Sequence, residues 1–215
     1  MLDELHLGFG RREVHRKHWE FVQAILGLEQ LGCLTPTAIA VGVGAGREHP
    51  LYYLANRIAR VHATDVYGQG DFAETDASAS MLLHPETFAP FPYREDHLVV
   101  QHMDGCDLKY PAGSFNLAFS FSSIEHFGGH KRAGQAMQEM ARVLRPGGIA
   151  VVTTEVVLNG RSHPEFFLPV EVDNDLVRPS GLTLVEPIDF SIAVAGREAD
   201  RPRQRFFRAS IRTSC

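Results

Sequence analysis

The chain is 215 residues long, 44% hydrophobic and 22% charged, with a formal net charge of −5, which suits one domain with a core of its own. The acidic balance argues against a general nucleic-acid binder, which needs positive charge for the phosphates, and no run approaches the ~20 apolar residues of a membrane span. Three scattered cysteines (Cys33, Cys106, Cys215) form no CxxC pair, and Met1-Leu2-Asp3-Glu4 lacks the basic and apolar regions of a signal peptide, so the expectation is a cytoplasmic protein with free thiols.

Residues 11–31 carry Val14, Phe21, Val22, Ile25 and Leu28 at helical spacing, with Arg11, Arg12, Arg16 and Lys17 on other faces. They predict an amphipathic helix ended near Gly32. Thr37-Ala38-Ile39-Ala40-Val41 is a short apolar run, read as a strand, that leads directly into Gly42-Val43-Gly44-Ala45-Gly46. Glu48 and Pro50 then mark a helix start, and Leu51, Leu54, Ala55 and Ile58 continue it at helical spacing. Arg60–Asp65 reads as a second strand finishing on an acid. Two strands joined by a helix in this way imply a parallel α/β sheet.

Residues 68–97 are broken by glycines and prolines, yet Phe88, Phe91 and Tyr93 supply apolar mass, so an ordered lid is expected there. Leu98-Val99-Val100 is a third strand ending at Met103-Asp104-Gly105, and Phe115, Leu117, Phe119 and Phe121 alternate as a fourth. Lys131–Leu144 predicts a helix stopped by Arg145-Pro146-Gly147-Gly148, after which Ile149–Thr154 is a fifth strand. Leu182–Phe190 and Arg205–Ile211 read as a final antiparallel pair. The expectation is a single domain over 1–215. Residues 1–36 form an N-terminal helix or lid, 37–155 a cofactor-binding core and 156–215 a substrate-side segment with edge strands.

Ligands of open parallel sheets sit outside the carboxyl ends of the strands, where the glycine loop falls. Glycines let the backbone turn tightly and approach a ligand with no Cβ in the way. Asp65 can accept two hydrogen bonds from a ribose diol, and Asp104 is placed to accept from an adenine amino group. Together they indicate an adenosine-containing cofactor. A dinucleotide fingerprint is not met: GxGxxG starting at Gly42 needs glycine at Arg47, and starting at Gly44 it needs glycine at His49. No Lys-Ser/Thr follows the loop, which removes the P-loop as well.

With Val41–Gly46, Asp65, Met103-Asp104-Gly105, Phe115–Phe121 and Leu144-Arg145-Pro146-Gly147-Gly148 in this order, the chain resembles class I S-adenosylmethionine-dependent methyltransferases, closest to the type 11 subgroup. The resemblance covers roughly 37–155. It implies a Rossmann-like fold with helices on both faces of a seven-stranded sheet, order 3-2-1-4-5-7-6, strand 7 antiparallel. It also implies that Gly42, Gly44 and Gly46 pass the methionine part of S-adenosylmethionine, and that Asp65, with Val66 beside it, holds the ribose. Met103, Asp104 and Gly105 then meet the adenine, with Ser120 and Phe121 beside the cofactor. One position departs from the family. An acid commonly stands two residues before the first glycine, and here that place is Ala40, which leaves Glu48 or a water as alternatives at the cofactor's amino-acid end.

An acceptor hydroxyl must lose its proton during methyl transfer. His126, preceded by Glu125 directly after strand four, is the candidate general base, ahead of His130, and the alternative is that the pair braces the following helix. The E-x-x-E-H pattern by which some relatives bind Mg²⁺ has Ser122 in its first place, so no metal is expected. The Asn/Asp-Pro-Pro-Tyr/Phe tetrapeptide of nucleobase-amine methyltransferases is replaced by Ser120-Phe121-Ser122-Ser123. Six arginines between Arg197 and Arg212 read as a solvated edge. Trp19, Phe127, Arg161 and His163 are the candidate acceptor contacts, with Glu165 also able to grip a hydroxyl, and Trp19 could instead be buried against Phe167.

These residues lead to an expected O-methylation of a small polar molecule or saccharide, with no nucleic-acid or membrane partner. Two alternatives stand: N- or C-methylation of a small metabolite, and a non-catalytic cofactor-binding module of a glycan or secondary-metabolite assembly. Independently of these, the first helix or the final strands could form a homodimer.

Overall fold

The computed structural model describes residues 16–188 and 190, with backbone alone at Arg16 and at 209–212. Val14 and the rest of the expected first helix before residue 16, the side chains of the Arg197–Arg212 group and Cys215 lie outside the described residues. Helix α1 is Arg16–Gln30, and it buries Phe21, Val22, Ile25 and Leu28. It ends in a two-bond cap in which Gly32 N–H donates to Glu29 O (2.9 Å) and Cys33 N–H to Leu28 O (2.9 Å). That turn requires φ +64° at Gly32, which glycine adopts without a Cβ penalty.

The strands and helices then follow as β1 (Ile39–Val43), α2 (His49–Ala55), β2 (Arg60–Asp65), β3 (Leu98–His102), β4 (Phe115–Phe121), α3 (His130–Val143) and β5 (Leu144–Thr153). β1 to β5 are mutually parallel, in the order β3-β2-β1-β4-β5. The edge beyond β5 carries two short pieces: β7 (Ala209–Arg212) runs antiparallel to β5 and to β6 (Thr183–Leu184). The strand expected over Leu182–Phe190 is confined to Thr183–Leu184 among the described residues, and residues 205–208 of the other expected strand lie outside them.

β1 and β4 sit in the middle of the sheet and are covered on both faces, as parallel strands between helix layers are. One face packs Ile25, Leu28, Leu51, Tyr52 and Leu54 from α1 and α2 against Phe119 and Phe121. The other packs Ala133, Met137 and Met140 of α3 against Val41, Val43 and Ala118. α3 approaches the helical stretch 169–180 so closely that a Cβ at Gly134 would stand 2.5 Å from Asp175 O.

Two boundaries differ from the sequence reading. Gly42 belongs to β1, paired with Ala63 and Phe119, because the strand runs two residues further than its apolar run. β5 starts at Leu144: Phe115 pairs with Leu144, the register slips, and pairing resumes at Leu117–Ile149, with the predicted turn looped out inside the strand. Residues 68–97 form an ordered connection built on three 3₁₀ turns. Tyr52 Oη donates to Pro85 O (2.8 Å), Arg94 donates to Ala55 O and Ile58 O, and His97 Nδ1 to Ile58 O (2.9 Å), tying it to α2. No helix among the described residues is long and apolar enough to cross a membrane.

Candidate active site

At the carboxyl ends of β1, β2 and β4 lies a cavity of about 570 Å³, a size that suits a small-molecule site. Its floor is the glycine loop. Gly44 and Gly46 have φ +64° and +46°, and a Cβ at Gly46 would stand 2.7 Å from Asp76 O, where the 68–97 segment closes over the loop. Both therefore need glycine, for conformation and for space. Asp65 locks this floor: its carboxylate accepts from Gly46 N–H (2.9 Å) and Val66 N–H (2.7 Å). Burial raises the Asp65 carboxyl above its ordinary value although both N–H groups act against it. Tyr67 Oη donates to Gly46 O (2.8 Å) from below.

Beside the loop, Lys17 of α1 reaches Glu48 Oε1 and Phe121 O, both at 3.3 Å. Burial pushes the Glu48 carboxyl up to about 8 even with the Lys17 ammonium beside it. For Lys17 burial acts to lower the value, and Glu48 and Glu20 more than offset it. Both side chains line the cavity. The sequence shows Glu48 but not Lys17, whose charge reads as one more solvated position on a helix. Ser122, at φ +47° directly after β4, is the one non-glycine residue among those described with positive φ. Its hydroxyl donates to Glu20 Oε2 (2.7 Å), which holds it in that sparsely allowed conformation.

His126 lines the opposite side of the cavity. Its Nδ1 stands 3.3 Å from Glu165 Oε2, and its ring lies 5.1 Å from the Phe72 ring. Glu165 and Phe72, from the segments after β5 and β2, are brought there by the fold alone, and neither has a local motif. Of the expected contacts, Gly44, Gly46, Glu48, Asp65, Val66, His126, Phe127 and Glu165 do line this cavity.

The others fall elsewhere. Glu125 is fully buried behind His126, where Thr154 Oγ1 donates to its Oε2 (3.0 Å) and burial pushes its carboxyl up to about 7. It is a brace and does not reach the cavity. Ser120 and Phe121 are buried on β4, with Phe121 packed among the α1-side core rings. Gly42 is a packing glycine whose Cβ would strike Phe119 and Ala45. Met103 lies in the other core cluster.

Asp104 is held by Cys106 N–H (2.8 Å) and Arg132 Nη2 (2.8 Å) outside the cavity wall. Burial acts to raise its carboxyl, but these two partners outweigh that and leave it below its ordinary value. Gly105 faces the Phe127 ring, which a Cβ would meet at 2.6 Å, and the same ring touches Gly44. Phe127 thus stands between the loops after β1 and β3, on the side the resemblance gives to the cofactor.

Trp19 is 47% exposed and lies off the cavity, while Phe167 is fully buried and stacks on His130 at 4.5 Å, so the two do not pair. His130 is occupied by Asp175 (3.0 Å) and Phe166 O. Arg161 is exposed in a turn whose N–H meets Asn159 Oδ1, and His163 Nδ1 accepts from Glu165 and Phe166 N–H. His163 therefore shapes the loop that carries Glu165. Among the described residues, no group of three or more His, Cys, Asp or Glu side chains could hold a metal ion.

Solved structures of similar fold include geranyl diphosphate C-methyltransferase from Streptomyces coelicolor A3(2), in complex with Mg²⁺, geranyl diphosphate and S-adenosyl-L-homocysteine. It is 15% identical, with TM-score 0.65, covering 99% of this chain and 87% of that one. The YcgJ protein of Bacillus subtilis is 13% identical with TM-score 0.62, covering 92% and 100%. The [4+2]-cyclase SpnF is 19% identical with TM-score 0.61, and the match spans 83% of this chain but 62% of the cyclase. The family model for the methyltransferase domain, type 11, matches residues 40–152. That match takes in β1 through β5 with the glycine loop and Asp65, and the chain belongs to this family of class I S-adenosylmethionine-dependent methyltransferases.

Proposed function

We propose that the protein transfers a methyl group from S-adenosylmethionine to a hydroxyl oxygen of a small polar molecule, a saccharide being the first class to try, with His126 as general base. The observation that carries this reading is the His126–Glu165 pair on the cavity wall, 3.3 Å apart. A carboxylate at Nδ1 favours the tautomer with its proton on that nitrogen, leaving Nε2 with the lone pair that can accept an acceptor hydroxyl's proton.

The residues present fit the cofactor. The glycine loop leaves room for a close backbone approach, Asp65 offers a carboxylate at the end of β2, and Glu48 keeps a buried carboxyl oxygen without a hydrogen-bond partner. Bound there, the cofactor supplies an electrophilic methyl carbon on a sulfonium. The protein's part is to align and desolvate the two reactants. Phe72 with Gln69 and Asp71 gives the acceptor region one aromatic face and a polar rim, which suits a ring that bears hydroxyls. As the acceptor oxygen bonds to the methyl carbon, the carbon–sulfur bond would break with its electron pair going to sulfur, leaving S-adenosylhomocysteine; the hydroxyl proton passes to His126 Nε2, and the imidazolium so formed keeps Glu165 as its counter-charge.

The test is a screen of hydroxylated acceptors, saccharides first, with wild type and His126→Gln. Expected is methyl transfer by wild type, lost in the variant, with S-adenosylhomocysteine affinity equal in both. A variant that turns over at the wild-type rate removes His126 as base.

A further inference from the structure

We infer that Lys17 and Glu48 form the receptor for the α-amino-acid end of S-adenosylmethionine, replacing the acid that β1 lacks; this rests on the cofactor reading of the cavity. Ala40 is fully buried in the apolar core, registered between Val61 and Leu117, so nothing charged stands at that point of the strand. Two residues past Gly46, Glu48 faces the same cavity. Its Oε1 is on Lys17 Nζ at 3.3 Å, and its Oε2 is buried with no hydrogen-bond partner. A buried carboxyl oxygen left without a donor marks the place of a group that brings one.

The chemistry of that group follows from the pair. Glu48 offers an acceptor for an ammonium, and Lys17 a counter-charge for a carboxylate. A zwitterion brings a partner for each of the two groups, so that neither buried charge is left uncompensated. An amino acid's backbone end is such a zwitterion, and S-adenosylmethionine and S-adenosylhomocysteine both carry one.

Among the described residues, the charged groups acting on Glu48 are Lys17 and Glu20 of α1 and Asp65 at the end of β2, and Asp76 also acts on Lys17. Burial pushes the Glu48 carboxyl up to about 8, so a protonated fraction stands at pH 7. Pairing with an ammonium requires the carboxylate, and binding at pH 7 releases a proton from that fraction.

The experiment is calorimetric titration of the full chain at pH 7, in HEPES and in Tris, with S-adenosylhomocysteine and with 5′-methylthioadenosine, a nucleoside that lacks the amino-acid end. Wild type is expected to prefer S-adenosylhomocysteine by tenfold or more and to release a proton to the buffer only with that ligand. Glu48→Gln should bring S-adenosylhomocysteine down to the affinity of 5′-methylthioadenosine and leave the latter unchanged, and Lys17→Met should narrow the preference in the same sense. Binding of both nucleosides with equal affinity, or without proton release, overturns the inference and leaves the cofactor reading standing. So does a Glu48→Gln protein that weakens both ligands alike. Binding of neither by wild type rejects the cofactor reading, and the inference with it. The proton count needs wild type alone, so it decides the matter even where a variant fails to fold.

Discussion

The wall of the cavity at the ends of β1 and β2 is backbone with short side chains fastened to it, whereas the wall after β4 is made of long side chains gathered from three segments. On the first, Asp65 is fixed by Gly46 and Val66 N–H groups and Tyr67 props Gly46 from below. On the second, His126 meets Glu165 and Phe72 across sequence distances of 39 and 54 residues, through contacts that side-chain rotation can undo. Ser123 links the walls, its hydroxyl donating to Gly44 O at 2.7 Å. A wall of hydrogen-bonded backbone holds one geometry, and a wall of side chains can be re-tailored without disturbing the fold. This division suits a constant cofactor on one side and a family-variable acceptor on the other.

The largest effect that separates the walls is expected from His126→Ala. General bases contribute about 10²–10⁴ in rate, so kcat should fall by that order while the dissociation constant of S-adenosylhomocysteine stays within about twofold. Asp65→Ala should do the reverse, weakening S-adenosylhomocysteine by about 10–100-fold, the range expected for losing hydrogen bonds to a charged group. A Tm measured alongside separates lost binding from a loosened loop. If the two variants affect kcat and affinity alike, the walls are not separable and the comparison fails.

A third test concerns the brace behind His126. Glu125 titrates near 7 when folded, against about 4.3 for an unperturbed glutamate. Because the folded pKa is the higher, this group contributes its full stability below the unfolded pKa and loses it as pH rises through 7. Between those values the loss is on the order of 1.4 kcal/mol per pH unit. Glu125→Gln keeps an acceptor for Thr154 and cannot ionise, so the variant should be less sensitive than wild type when Tm is followed from pH 5.5 to 7.5. Equal slopes would mean that Glu125 is solvated and could take part in the chemistry after all.

The backbone wall was also the legible one. β2 and β4 coincide with the sequence reading because each is an apolar run closed by a distinctive residue or turn, and glycines at 44 and 46 announce positions that no other residue fits. The side-chain wall left little local trace. Lys17 looks like any solvated lysine until α1 lies across the glycine loop, Phe72 acquires a role only through packing, and Glu165, expected to grip a hydroxyl, stands against His126. Trp19 shows the converse failure: an aromatic near the expected acceptor region suggested a contact, yet its place on α1 leaves it facing outward. Asp104 has the expected strand-end position but is claimed by Arg132, whose Nε also binds Phe127 O at 2.7 Å. A partner 28 residues away cannot be read from the motif.

The smallest effect sharpens the proposal most narrowly. Glu165 is about half exposed and its distance from His126 is that of a loose ion pair, so water screens much of the attraction, and pairs of this kind contribute about 0–1 kcal/mol. Glu165→Gln should therefore lower kcat by no more than about fivefold, since 1 kcal/mol corresponds to roughly that factor. What distinguishes a positioning role from mere proximity is the split between kcat and KM. A carboxylate that orients the imidazole acts on the chemical step, so removing it should lower kcat and leave KM within about twofold. A raised KM with kcat unchanged would mean that Glu165 only shapes the acceptor's seat, and His126 would then act without an electrostatic partner.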